Sequence, residues 1–442
     1  MQRLATDKLK DWKVNPARKP LILRGARQVG KTYLLKHFGE ANFPNYHYIN
    51  FETDQQAEQV FERNLDPQRI LSDLQLYLEK PIDPKSDLLI FDEIQRCPKA
   101  LTSLKYFREK MPELALCSAG SLLGVFMSWD SFPVGQVTFL DLYPMTFMEF
   151  LTGIGKTQFV DLLQEQTWKE PLPEIAHTKL WDMWKHYLIT GGMPEAVESY
   201  RNQQDNLFLA FQGVRTIQSD LIDTYMADIA KHSGKVNAMH IERLWRNVPA
   251  QLARSMDASG SKFKFKDAVP GYRGYERLAA PIDWLESAGL ILRTSFVSNA
   301  KIPLNGNRID NRFKLYLLDI GLLGAMNGIL PTTFIDYDFG RYKGYIAENF
   351  VAQELTAAGY KDLFCWEGRT SEVEFLIEAD NQIVPIEVKS GHVTKSKSLK
   401  VYEERYQPQY SIVFSGNNVR VFGLRSYVPL YAVGHLMKQF TS

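Results

Sequence analysis

Eight consecutive residues, Gly25-Ala26-Arg27-Gln28-Val29-Gly30-Lys31-Thr32, have the spacing G-x-x-x-x-G-K-[ST]. Those residue types suit phosphate. Gly25 and Gly30 let backbone N–H groups turn inward onto an anion, Lys31 reaches β- and γ-phosphates, and the Thr32 hydroxyl is a hard oxygen ligand for Mg2+. The flanks fit the same chemistry. Leu21-Ile22-Leu23 reads as a buried strand, and Tyr33-Leu34-Leu35-Lys36-His37-Phe38 reads as a helix whose N-terminus faces the anion. The whole segment Gly25–Thr32, with Ala26, Arg27, Gln28 and Val29 supplying backbone, is therefore expected to bind ATP or a related triphosphate.

Such a loop needs a partner carboxylate. Leu88-Leu89-Ile90-Phe91 is an apolar run ending in Asp92-Glu93, which reads as a central parallel strand with two acids at its carboxyl end, where open α/β sheets bind ligands. Asp92 is expected to complete the Mg2+ shell with Thr32. Glu93 is expected to orient and deprotonate an attacking water. A further strand, Leu114–Ser118, leads into Ala119-Gly120-Ser121. Ser121 at its tip is the candidate sensor of the γ-phosphate, with Ser118 as the alternative and a simple Gly-Ser turn capping a helix from about Leu122 as the competing reading. Asn50, at the end of an alternating strand from Tyr46 to Phe51, is a candidate gate for Glu93.

A second constellation lies far along the chain. Val373-Glu374-Phe375-Leu376-Ile377 and Ile383-Val384-Pro385-Ile386-Glu387-Val388-Lys389 read as the strands of a hairpin turned at Ala379-Asp380-Asn381. A period of two places Glu387 and Lys389 on one face. Glu348, in the helical stretch Tyr345–Val351, adds a third acid. Glu348, Glu374, Glu387 and Lys389 together would form a Mg2+ site with a lysine beside the attacking water. An acid on a helix, an acid on a strand and Glu-x-Lys on the next resembles the PD-(D/E)XK nuclease layout. The strand acid is Glu where Asp is usual, and Glu372 on the same face is its possible substitute.

Read in order, Gly25–Thr32, Phe91-Asp92-Glu93-Ile94-Gln95-Arg96, Ala119-Gly120-Ser121-Leu122-Leu123-Gly124, Ser131–Val137 and Leu142-Tyr143-Pro144-Met145-Thr146-Phe147 resemble the AAA+ domain of the bacterial and archaeal archaeal-type ATPase proteins. In that family a winged helix and a PD-(D/E)XK-nuclease-like domain of unknown function follow. The resemblance implies ATP hydrolysis and assembly into a homo-oligomer or with a protein partner. The chain departs from the family at Gln136, where Arg or Lys is usual, and no arginine finger is identifiable.

The elements that must position these residues follow from the rest of the chain. A length of 442 residues allows two to four domains, and the division expected is 1–150 (AAA+ P-loop), 151–239 (helical), 240–332 (winged helix) and 333–442 (nuclease-like α/β). In the helical part, Trp181, Trp184 and Leu188 share a face, and Gly191-Gly192-Met193-Pro194-Glu195 reads as a junction between helices. Ile241, Leu244, Val248 and Leu252 mark one later helix. Leu278, Ile282 and Leu285 mark another that ends at Gly289. The strands Ile291–Phe296 and Phe313–Leu318 flank a polar wing, Ser298–Arg312. Lys262, Lys264, Lys266, Arg273, Arg277, Lys301, Arg308 and Arg312 offer a phosphate-contacting face for DNA, as could Lys395, Lys397 and Lys400.

Net charge is only +1, so any basic surface is local. The three cysteines, Cys97, Cys117 and Cys365, lack metal-ligand spacing and read as reduced thiols of a cytoplasmic protein. Residues 1–13 read as a short amphipathic helix, and no apolar run is long enough to span a membrane. Two functional classes remain open: ATP-driven DNA processing, or an ATP-dependent switch whose nuclease-like domain binds a partner. A small-molecule kinase is a weaker third, because tandem Asp92-Glu93 favours water as acceptor.

Overall fold

The computed structural model describes residues 1–121, 133, 135–233, 235–254, 262–266, 268–272, 274–335, 343–392 and 396–440. The motif residues 122–124, 131, 132 and 134, the helix expected from about Leu122, and Arg273 and Lys395 lie outside them. The chain divides into two compact units, one formed by residues 2–143 with 287–289, the other by Met1, 144–286 and 290–442.

The first unit is built on a wholly parallel sheet of β1 (Leu21–Arg24), β2 (Tyr46–Asn50), β3 (Leu88–Asp92), β4 (Ala115–Gly120) and β5 (Thr138–Asp141), in the order β2-β3-β4-β1-β5. Helices Lys31–Asn42, Pro67–Leu78 and Pro98–Lys110 make the crossovers that parallel pairing requires. β3 and β4 are buried along their whole lengths, which explains their nearly continuous apolar sequences. Phe51, Phe61 and Phe91 pack edge to face above the sheet. Because every strand runs the same way, the segments leaving β1, β3 and β4 emerge at one end. This brings Gly25–Thr32, Asp92-Glu93 and Ser121 to a common edge, with β4 separating the strands that carry the first two.

The second unit starts with a run of helices: Phe147–Gly153, Glu174–Thr190, Pro194–Asn202, Leu207–His232, Lys235–Arg254 and Tyr275–Ser287, the last of which closes within the first unit's short return. Thr146 and Glu149 cap the first of these reciprocally. Trp181, Trp184 and Leu188 are buried, and so are the apolar positions expected at 241, 244, 248, 252, 278, 282 and 285. An eight-stranded mixed sheet follows: β6 (Ile291–Val297), β7 (Arg308–Leu317), β8 (Leu363–Glu367), β9 (Glu372–Ala379), β10 (Gln382–Val388), β11 (Ser411–Ser415), β12 (Arg420–Phe422) and β13 (Arg425–Pro429), in the order β12-β13-β11-β10-β9-β8-β6-β7. The β6–β7 hairpin begins at Arg308 on its return strand, so the polar loop is 298–307, shorter than the expected wing. β6 also pairs in parallel with β8, so the sheet runs across the boundary expected at 332/333.

β9 and β10 pair through a two-residue turn in which Asp380 and Asn381 both have positive φ, 48° and 59°. This is the turn geometry that the right-handed twist of a hairpin favours. Ile386 faces Phe375, and continuing this register sets Glu387 opposite Glu374. The helix Lys343–Ala358 is pinned to the end of β7 by Asn349, whose side chain accepts from the Leu317 N–H at 2.8 Å and donates to the Leu317 carbonyl at 3.0 Å. The three cysteines are buried and unpaired. Among the described residues, no helix is long and apolar enough to cross a membrane.

Candidate functional site

The loop after β1 turns into its helix through Gly30, whose φ of 94° a residue with a Cβ rarely adopts. Lys31 follows at the helix start, and only 6% of it is exposed. Its ammonium donates to the carbonyls of Gly25 (3.0 Å) and Ala26 (2.7 Å), folded back onto the loop it belongs to. Thr32 Oγ1 donates to Asp92 Oδ2 at 2.7 Å, joining the loop to the end of β3. Tyr48 on β2 donates to the same Asp92 oxygen at 2.8 Å, and Asn50 in turn donates to the Tyr48 hydroxyl at 3.2 Å. The Asn50 side-chain oxygen accepts from the Glu52 N–H at 2.8 Å, so the Asn50 amide is engaged with Tyr48 and the chain beyond β2.

Glu93 has φ 49°, a left-handed conformation that is uncommon outside glycine and concentrates at functional sites. Its Oε2 accepts from the Gln95 side-chain amide and, at 3.4 Å, from Ser121 Oγ at the tip of β4. Ser118 lies wholly buried within β4. Gln95, which the sequence reading did not select, is thus the residue that holds Glu93. Its own carbonyl oxygen is buried without a hydrogen-bond partner. A polar side chain two positions after Glu93, in the short 3-10 turn Ile94–Arg96, was the available signal.

Burial lowers the Lys31 pKa to about 8, against the pull of Glu93 and Asp92. Only the ammonium attracts phosphate. Affinity for ATP is therefore expected to hold below about pH 8 and to weaken as pH rises through that value, by at most about tenfold per pH unit. Titrating a fluorescent ATP analogue on both sides of that pH reads the effect, and an affinity flat across it would refute the prediction.

The second constellation is gathered by the C-terminal sheet and the helix Lys343–Ala358. Glu387 is 2% exposed and pairs with Lys389 through Oε1, while its Oε2 is buried with no hydrogen-bond partner. Glu374 Oε2 accepts from the Val388 N–H at 3.2 Å. Burial, and then the facing Glu387 carboxylate, push the Glu374 carboxyl well above its ordinary range. Burial raises Glu387 as well, against the nearby Lys389 ammonium.

The Glu348 charge adds to the rise of both carboxyls. Glu348 Oε2 accepts from Tyr316 at 2.7 Å and lies 3.4 Å from the Lys314 ammonium, and Lys314 also pairs with Glu372. Burial alone would lower the Lys314 pKa, but Glu348, Tyr316 and Glu372 hold it well above its ordinary value. Among the described residues, no three His, Cys, Asp or Glu side chains converge as a metal-holding group. Lys314 was not singled out from sequence. The signal was a lysine within the otherwise apolar run Phe313–Leu317, on the same face as Tyr316 by a period of two.

Of the basic residues expected to form a nucleic-acid face, Lys262, Lys264, Lys266, Arg277 and Lys301 are exposed. Arg308 lies 3.6 Å from Asp310, and Arg312 pairs with Glu367. Lys397 and Lys400 fall in the helix Lys397–Tyr406, where Lys400 lies 3.8 Å from Glu404.

A phosphate-binding loop after the first strand of a parallel sheet, and a carboxylate pair after β3 with one strand between, define a P-loop nucleoside-triphosphatase fold. Residues 17–151, the part that carries these motifs, match the family model described as an AAA domain. Residues 182–333 and 343–433 match two further models, each described as a domain of unknown function (DUF8612 and DUF4143). No curated protein matches the chain.

Solved structures similar to it include a Walker-type ATPase of Pyrococcus abyssi, at 15% identity and a TM-score of 0.42, over 73% of this chain and 94% of that one. The Orc1 protein of Aeropyrum pernix in complex with DNA is similar at 11% identity and a TM-score of 0.31, over 74% and 93%. DnaA from Aquifex aeolicus bound to AMPPCP is similar at 15% identity and a TM-score of 0.28, over 64% and 87%. At these TM-scores the likenesses carry no assignment of ligand or partner.

Proposed function

We propose that the chain binds ATP with Mg2+ and hydrolyses it, and that turnover is coupled to DNA held by a winged-helix segment and the nuclease-like C-terminal domain. The observation that carries the ATPase reading is the Thr32–Asp92 hydrogen bond with Glu93 next in the chain. Thr32 hydroxyl and Asp92 carboxylate are hard oxygen donors, which suit Mg2+; bound there, the ion would neutralise charge on the β- and γ-phosphates. Lys31 would leave its loop carbonyls for the phosphates. Glu93, oriented by Gln95 and Ser121, would accept the proton of the attacking water. Gly25 to Gly30 would supply backbone donors. The DNA arm rests on the exposed Lys262, Lys264, Lys266 and Lys301 and on the helix-helix-hairpin order of residues 235–317. Three buried free thiols are consistent with a reducing, cytoplasmic setting.

A second reading is favoured by the lysine pairing of the C-terminal acids. ATP would then switch assembly, as a homo-oligomer or with a protein partner, and the nuclease-like domain would bind rather than cut. The deciding experiment is ATP turnover by wild type and Lys31→Ala, with and without duplex, single-stranded and branched DNA, and sedimentation with and without ATP. Loss of roughly a hundredfold or more in Lys31→Ala is expected. Stimulation by DNA supports the first reading; turnover blind to DNA, with ATP-dependent association, supports the second. No turnover under any of these conditions would sink both.

A further inference from the structure

The acids that resemble a nuclease metal site do not stand as one. We infer that the Lys314 ammonium is the resident cation of this cluster, so that Glu348, Glu372, Glu374 and Glu387 form an ion-pair cluster that takes no divalent metal. The inference concerns the C-terminal cluster alone and is independent of the ATPase reading.

Lys314 enters from β7, at the far edge of the sheet from β10, and is 0% exposed. Its ammonium lies between Glu348, at 3.4 Å, and Glu372, with which it is in direct contact. Tyr316, on the same face of β7, donates to the Glu348 oxygen that Lys314 approaches. The Asn349 bonds to Leu317 hold the helix against this end of β7, with Glu348 over the lysine. Its charge nonetheless reaches the pair facing each other on β9 and β10, so Lys314 and the four acids act as one cluster.

Those two are also engaged. Glu374 takes the Val388 N–H, and Glu387 takes Lys389. Mg2+ or Mn2+ binding in this cluster would need several oxygens arranged octahedrally at about 2.1 Å. The single orphan oxygen, Glu387 Oε2, is no such shell. An ammonium tethered to a buried strand cannot leave as a hydrated ion can, and removing it would leave two largely buried acids without their cation, a costly state. A covalent cation thus does electrostatically what a bound metal would do, without offering an open position for substrate.

The test uses the full chain without nucleotide and Mn2+ alone as probe, with free Mn2+ followed by electron paramagnetic resonance. Wild type and Glu387→Gln are expected to bind Mn2+ equally, any weak binding at the P-loop being common to both. Lys314→Met is expected to bind Mn2+ at least about tenfold more tightly than wild type, because a repelling unit charge is gone. Adding Glu387→Gln to Lys314→Met should abolish that gain. A wild-type Mn2+ site that Glu387→Gln removes would overturn the inference, as would a folded Lys314→Met protein that gains no site. Where Lys314→Met fails to fold, the wild-type and Glu387→Gln pair still decides, since it leaves the lysine in place.

Discussion

Glu93→Gln is expected to lower ATP turnover by about 10²- to 10³-fold while leaving ATP binding near that of wild type. The carboxylate stands at the end of a buried central strand, and its left-handed backbone points it off the strand axis. Gln95 and Ser121 both hold Oε2, which leaves Oε1 to accept from a water in line with the γ-phosphate. Glutamine keeps the size and one acceptor but cannot take the proton. Asp92 and Lys31, the residues proposed to meet the metal and the phosphates, are untouched, so the loss should fall on kcat rather than on affinity. Replacing Gln95 with Ala should cost less, about tenfold, because it positions the base without being the base. Single-turnover hydrolysis beside nucleotide titration separates the two quantities. Turnover by Glu93→Gln close to that of wild type would remove Glu93 from the chemistry, and equal losses in binding and turnover would make its role structural.

The architecture of the first unit was legible because its signals are local. A glycine-rich loop needs a strand before it and a helix after it, and an apolar run ending in two acids needs a parallel sheet around it. With β1, β3 and β4 assigned, a parallel sheet leaves little freedom in which ends meet. What sequence did not reveal depends on register and on reach between distant strands. Asn50, paired with Asp92 across β2 and β3, and Gln95, two residues after Glu93, are both amides beside Glu93. Which one touches it depends on the turn after β3 and on Tyr48 occupying the Asn50 amide, and sequence position alone does not choose between them. Lys314 meets Glu372 only because β6 pairs with both β7 and β8, a parallel contact between segments far apart in the chain. The start of β7 was hidden for a different reason. Arg308-Ile309-Asp310-Asn311-Arg312 is polar and mostly solvent-facing, so hydrophobic periodicity is silent there although the backbone pairs.

The Gly-Gly-Met-Pro-Glu junction should show its role through Asp319. Asp319 is 0% exposed and accepts from the Gly192 N–H at 2.6 Å and from the Leu322 N–H at 3.0 Å, so it ties the junction to the start of the helix Ile320–Met326. Asp319→Ala strands both amides in a buried setting and removes an N-cap, a combined cost of about 3–5 kcal/mol. Gly191 has φ 71°, and a Cβ built there would lie 2.2 Å from Asp319 Oδ1. Gly191→Ala therefore meets both backbone strain and the carboxylate.

In the Asp319→Ala background the carboxylate is gone and only the strain, about 1–3 kcal/mol, remains. The two losses should then fall short of additive by about 1–3 kcal/mol in a double-mutant cycle. Urea denaturation of wild type, both single variants and the double variant measures the shortfall. Strictly additive losses would show that Gly191 is required for its backbone alone, and a stable Asp319→Ala protein would show that the junction is held by something other than this carboxylate.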